Sequence, residues 1–438
     1  MVNKRERFSS GRGFILACAG AAVGMGNLWM FPWRLGEYGG TAFLIPYIIF
    51  VIFLGTTGLM CEYGFGRWAG TGAVGAFDKV LKYKGMSFGR LLGAYPVINA
   101  TFVFIFYSIV TGWVIKYIYA SITGEYLSVI SKELYFSSFA GKSDSIYWQL
   151  FAIILCGLIV VFGIKKGIER VNNIIMPMLL IIFIILLIRS ITLPGASDGF
   201  RFLLDPDWSF LFKPVTWGMA LGQAFFTVSL GGAGMLVYGS YLGQDSDIPY
   251  SALITVTLDT IAALLSALVI IPAVFAYGFE LSSGPSLLFI TIPKIFSNMN
   301  GGQFFSIIFF IGVLFAAMSS LISMMEIIVE CLIDQFSWTR RSCVTIVVTA
   351  GFLNGIPLAI DMSLFKQFID TVTIYFTPIG ATIAAFLFFW VYPINKARAA
   401  INIGAYRKIG AWWNPFAKYG YVGISFVIVL LQLLYRIG

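Results

Sequence analysis

Apolar runs of about 20 residues recur from one end of this chain to the other, and that is the length a helix needs to cross a hydrocarbon core. Backbone amides and carbonyls in lipid must pair within the protein, so helices or a closed barrel are the only spanning folds. The runs are continuous rather than alternating, which decides for helices. They predict eleven spans, near 13–36, 41–66, 91–121, 146–163, 171–192, 216–240, 248–277, 301–333, 341–360, 368–394 and 418–436.

Composition points the same way. Of 438 residues, 59% are hydrophobic and 11% charged, against roughly a quarter charged in a water-soluble domain. A net charge of +9 invites an anionic partner such as nucleic acid. The cations instead gather in segments that would face the cytoplasm, among them Lys4, Arg5, Arg7, Lys82, Lys84, Arg90, Lys165, Lys166, Arg340, Arg341, Arg407 and Lys408. The positive-inside rule accounts for them and sets the N-terminus in the cytoplasm. The basic start MVNKRERFSSGRG looks like a signal peptide, but the apolar stretch after it carries Asn27, Trp29, Pro32 and Arg34, so it reads as the first span. Short loops favour a bacterial inner membrane.

Several chemistries drop out. There is no His, which removes imidazole relays, His-dependent triads and His metal sites. Five scattered Cys show no paired spacing, so neither a disulfide framework nor a thiolate metal site is indicated. No nucleophile with a base and no pair of acids suggests an enzyme. A channel would want a repeated pore-lining element or a ring of charges.

Two spans differ from ordinary membrane helices. The first contains GAAVGMGN, Gly20 to Asn27, and the sixth SLGGAG, Ser229 to Gly234. Each Gly inside a helix costs about 1 kcal/mol relative to Ala. Close packing through small residues is one explanation. Their matching places in two halves of five spans favour another: paired interrupted helices that form a transporter's central site. An interruption exposes carbonyls that suit a cation and amides that suit a carboxylate, and a zwitterionic amino acid with sodium would use both. Polar residues within spans cluster where such ligands would sit: Asn27, Tyr107, Thr227, Ser229, Asp259, Ser319 and Ser320. Asp259 is the sharpest, since a carboxylate at mid-bilayer costs about 2.5–3.5 kcal/mol on insertion scales unless paired. Bound sodium would pair it; a protonated structural carboxyl is the alternative. Ser319, Ser320 and Ser323 share a helix face with Glu326, where the hydroxyls could ligate a cation or bond back to helix carbonyls. A proton-coupled amino-acid carrier using Asp259 or Glu62 is the competing reading.

The segments GAAVGMGNLWMFPW with YGGTAFLIPY, GIERVNNIIMP, and GQAFFTVSLGGAGMLVYGSY make the chain similar, over nearly its whole length, to the bacterial branch of the neurotransmitter:sodium symporters. The resemblance implies an all-α membrane protein in one transporter domain. Two inverted five-helix repeats, about 10–195 and 210–395, have discontinuous first and sixth helices, and an extra helix follows at about 418–436. It implies sodium-coupled amino-acid symport by alternating access. One sodium site would use the Ala22 carbonyl, Asn27, Thr227 and Asp259. The second would use carbonyls of Gly20, Val23 and Ala316 with Ser319 and Ser320. The substrate carboxylate would meet amides near Met25 and Gly26 and the Tyr107 hydroxyl. Its amine would meet carbonyls near Ala22, Phe226 and Thr227, with Ser229 close by. Val103, Phe226, Gly232, Ser320 and Met324 would select the side chain. Arg5 and Asp334, with Ser240 and Tyr241, match the family's inner gate.

Three departures shape the expectation. Gly232 stands where the family often has Phe, which predicts a larger pocket and an aromatic substrate, tyrosine first. Asp259 replaces a common Asn. Chloride-dependent relatives hold an anion near Tyr47, Gln223 and a Ser at the place of Ala263, so a fixed carboxylate predicts chloride-independent transport. Met30 occupies the place of the outer-gate Arg, leaving Asp370 without that partner.

Overall fold

The computed structural model describes residues 5–281 and 284–435, with side chains as far as Leu431; Lys4 and Arg436, the last residue of the expected eleventh span, lie outside them. Among the described residues every regular element is helical. In chain order, α1 is Gly11–Ala22, α2 Met25–Glu37, α3 Gly40–Ala69, α4 Ala73–Lys82, α5 Gly89–Thr123, α6 Asp144–Val160 and α7 Ile164–Ile191. There follow α8 Pro214–Thr227, α9 Gly234–Ser240, α10 Ile248–Ala276, α11 Leu287–Asn298, α12 Gly302–Phe336, α13 Arg340–Ile360, α14 Met362–Val391 and α15 Trp413–Leu431.

Eight of these (α3, α5, α7, α10, α12, α13, α14 and α15) are long and apolar enough to cross a membrane. Two bent pairs bring the number to ten: α1 with α2, at 56°, and Lys132–Phe139 with α6, at 74°. The expected span at 216–240 is two short helices, α8 and α9, and neither reaches that length alone.

Burial explains the arrangement. On α7, Ile174, Met178, Ile181, Ile185 and Ile188 recur at steps of three and four, and all are exposed. An apolar stripe at that spacing would face the core of a soluble protein; here it faces outward, as lipid contact requires. The opposite condition holds in the middle, where α1 packs against α7, α10 and α12, α2 against α10, and α9 against α3. Most of α1 and nearly all of α9 is buried. The two interrupted stretches therefore sit inside a sheath of intact helices, where loose backbone can meet polar side chains instead of lipid.

Candidate functional site

The first interruption is short. Helix α1 ends at Ala22, Val23 turns extended (φ −68°, ψ 102°), and α2 restarts at Met25. Asn27 closes the gap from within: its Oδ1 accepts the Gly24 N–H at 3.0 Å, and its own N–H donates to the Gly24 carbonyl at 3.1 Å. The Met25 N–H donates to the Tyr107 hydroxyl at 3.1 Å. A Cβ on Gly24 would lie 2.9 Å from Ser320 Oγ and 3.0 Å from Tyr107 Oη, so a larger residue would push both hydroxyls away from the break.

The second interruption is longer. Residues 228–233 between α8 and α9 are not helical, with Ser229 at φ +53° and Gly232 at φ +80°. A left-handed non-glycine residue costs about 1–2 kcal/mol. Ser229 offsets this by donating its hydroxyl to the Ala21 carbonyl at 2.7 Å, which ties one break to the other. Buried Glu62 on α3 receives the restarting helix: its two oxygens accept the N–H groups of Gly232 at 2.8 Å and Leu236 at 3.2 Å.

Asp259 of α10 lies between the breaks, 0% exposed. Its Oδ1 accepts from Asn27 Nδ2 at 2.8 Å and its Oδ2 from the Thr227 hydroxyl at 2.7 Å, while Asn27 Nδ2 also reaches Thr227 Oγ1 at 3.1 Å. No Lys or Arg pairs with it among the described residues. Nearby, Ser320 Oγ stands 3.5 Å from both the Gly20 and Ala21 carbonyls, and Ser319 donates to the Ala316 carbonyl at 3.0 Å. Carboxylate, amide, hydroxyl and carbonyl oxygens are donors for a hard cation. An all-oxygen set with a single carboxylate suits a hard monovalent cation better than a transition metal.

The remaining expected residues divide. Tyr107, Val103 and Met324 are half-buried around the breaks, and the Phe226 ring covers Gly26 while staying 41% exposed. Gly232 does not behave as expected. The sequence suggests a Phe position opened into a pocket, yet a Cβ there would meet the Gly380 backbone, 2.6 Å from its carbonyl carbon. Left-handed φ and close approach require the glycine. The free space lies one residue earlier, at Gly231, where a Cβ would meet nothing within 4 Å.

Toward the N-terminus the breaks are sealed. Arg5 bonds Asp334 at 3.1 Å and the Ser240 hydroxyl at 3.2 Å, with its guanidinium 5.0 Å over the Tyr241 ring. Glu330, absent from the sequence reading, is its nearer acid at 2.5 Å. Beside it Glu326 accepts from Tyr241 at 2.6 Å and from Arg340 at 2.7 and 2.9 Å. Phe8 packs edge-on against Phe14 and Tyr238. A charge inside an apolar run is the signal that points to Glu330, as it does to Glu326 on the serine face. At the other end Met30 is half-buried, and exposed Asp370 forms no ion pair among the described residues. Buried Arg34, one turn beyond Met30, donates to Gln223 at 3.0 Å and joins α2 to α8.

Comparison with known proteins fits this geometry. The chain is 38% identical over 400 residues to the sodium-dependent transporter YhdH of Bacillus subtilis, covering 86% of each. It is 26% identical to sodium-dependent nutrient amino acid transporter 1 of Drosophila melanogaster, over 94% of this chain and 75% of that one. The crystal structure of MhsT in complex with L-phenylalanine superposes with a TM-score of 0.86 at 34% identity, covering 98% and 99% of the two chains. Residues 5–137 and 128–437 match the model of the sodium:neurotransmitter symporter family. With its helical sheath, interrupted helices and oxygen-lined centre, this chain belongs to that family of sodium-dependent membrane transporters and is not an enzyme.

Proposed function

We propose that the chain is a sodium-coupled symporter of an aromatic amino acid, tyrosine first, working by alternating access and independently of chloride. The observation that carries this is Asp259: a fully buried carboxylate between two interrupted helices, held by Asn27 and Thr227, with no Lys or Arg paired to it among the described residues. One sodium would replace the donors on Asp259, with the Ala22 carbonyl, Asn27 and Thr227 completing its shell. A second would sit among the carbonyls of Gly20, Val23 and Ala316 and the hydroxyls of Ser319 and Ser320.

The substrate carboxylate would take the amides near Met25 and Gly26 and the Tyr107 hydroxyl. Its amine would take the carbonyls of Ala22, Phe226 and Thr227. Val103, Phe226, Ser320 and Met324, with the space at Gly231, would surround its ring. The L-phenylalanine in MhsT supports the aromatic class. Cation and carboxylate in one low-dielectric pocket attract strongly, so each raises the other's occupancy. Release of the second sodium would loosen α1 from α12, and the network of Arg5, Ser240, Tyr241 and Asp334 would open. A ligand shifts such an equilibrium only by its differential affinity for the two states, and the sealed state is the one in which the breaks are ordered.

In this reading the chain has eleven spans, with two repeats of five at about 10–195 and 210–395 and a further helix at about 418–436. Its N-terminus is cytoplasmic in a bacterial inner membrane. The test is labelled tyrosine uptake into proteoliposomes. Uptake should vanish when choline replaces sodium at fixed pH and persist when gluconate replaces chloride. Uptake driven by a proton gradient in choline would instead favour the proton-coupled carrier. Leucine or alanine outcompeting every aromatic amino acid would refute the substrate class.

A further inference from the structure

The outer surface of the helix bundle carries a cleft none of whose lining residues belongs to the candidate site. It encloses about 410 Å³ between the end of α4, the start of α5, α14 and α15, a size within the roughly 300–1,000 Å³ that holds small molecules. Leu81, Phe88, Leu92, Ile383, Phe386 and Phe426 form its walls. Thr382 is the one polar side chain among the lining residues, and its hydroxyl is turned onto the carbonyls of Pro378 at 2.9 Å and Ser425 at 3.2 Å. The interior is therefore wholly apolar. Phe88 and Phe426 stay exposed, so the cleft opens to the membrane and not into the helix bundle.

Cations flank the lining residues along the α4–α5 connection. Lys82 follows Leu81, Lys84 stands two residues before Met86 and Arg90 two residues after Phe88, and Lys82 and Arg90 meet at Asp78. Asp78 is the one acid that pairs with any of them among the described residues, at 2.7 Å to Lys82 and 3.5 Å to Arg90. Lys84 forms no ion pair there. Arg90, 71% exposed and at the long end of a shared contact, keeps most of its donors free.

An apolar slot flanked by excess positive charge matches an amphiphile with an acyl chain and an anionic head. We propose that this cleft is a binding site for an anionic phospholipid, with a chain between α14 and α15 and the phosphate on Lys84 and Arg90. A zwitterionic lipid brings its own ammonium to the same place and loses that attraction. A second copy of the chain is the poorer occupant, because the segments it would present there are themselves basic.

The test is native mass spectrometry of the full-length protein titrated with phosphatidylglycerol or phosphatidylcholine. Phosphatidylglycerol should bind at least about tenfold more tightly. Each surface cation near anionic lipid contributes about a fivefold gain, so Lys84→Gln with Arg90→Gln should weaken phosphatidylglycerol binding about 30-fold. Ile383→Trp fills the slot and leaves the cations in place; it should also abolish the preference, and Val429→Trp probes the same wall should the first variant fail to fold. Inorganic phosphate should displace nothing. Equal affinity for the two lipids, undiminished binding in the double variant, or displacement by phosphate alone would overturn the proposal. So would a dimer that dissociates on filling the slot.

Discussion

The two interrupted helices solve the same problem by opposite means. The gap between α1 and α2 is closed largely from its own sequence, with Asn27 reaching back three residues to Gly24. The gap between α8 and α9 is six residues long and is held from outside. Glu62, 170 positions away, takes the Gly232 amide, and the Ser229 hydroxyl crosses to Ala21, 208 positions away. A short gap leaves few orphaned backbone groups, so Asn27 and the Tyr107 hydroxyl suffice. A long gap leaves several, and each buried one left unpaired costs about 1–3 kcal/mol. The second break thus depends on the assembled bundle more heavily than the first.

This contrast can be broken experimentally, and the largest effect should come from the residue both breaks share. Asp259→Asn removes the charge that receives Asn27 and Thr227. Two charge-assisted bonds of about 1.5–3 kcal/mol each put the loss of sodium-driven uptake at about 100-fold or more. Near-normal uptake at unchanged sodium dependence would remove Asp259 from the cation site.

Next comes Glu62→Gln, which sets an amide donor against a backbone N–H. Losing one charge-assisted bond predicts about a 30-fold fall in uptake. Hydrogen exchange should quicken through 228–236 and stay slow through 23–27. Equal quickening in both stretches would mean that the two gaps are not held separately.

Tyr107→Phe acts on the first gap alone by freeing the Met25 N–H. A neutral hydrogen bond of about 1 kcal/mol predicts roughly a fivefold rise in KM for the amino acid, with maximal rate nearly unchanged. A fall in rate at constant KM would argue against a ground-state contact with substrate. The smallest effect is expected from Ser229→Ala. It cuts the tie between the gaps but relieves no packing, so uptake should drop about two- to threefold. A loss as large as that of Glu62→Gln would show that the tie to Ala21, not the carboxylate, holds the second gap.

Legibility followed the same divide. Glycines at mid-span marked both interruptions, and the apolar runs located most helix ends closely, although α7, α14 and α15 begin at Ile164, Met362 and Trp413, earlier than the runs suggest. Asp259 stood out because an acid in an apolar run must be paired. Glu62 carried the same signal, and nothing in its neighbourhood along the chain said that it faces backbone amides. Glu326 and Glu330 were equally ambiguous until Arg340 and Arg5 were seen beside them. Gly232 misled for a related reason. Its small size suggested empty space, and only the path of α14 showed that Gly380 already occupies it.

What the chain determined by itself was therefore everything local: where helices run, where they stop, and which faces tolerate lipid. Hydrophobic transfer and backbone propensity act residue by residue, so they can be read in order along the sequence. Only the folded bundle decided which acid meets a cation, which meets amides, and which glycine leaves room. Those outcomes depend on pairing between groups as far apart as Asn27 and Asp259, 232 positions, and such pairing follows from which helices become neighbours.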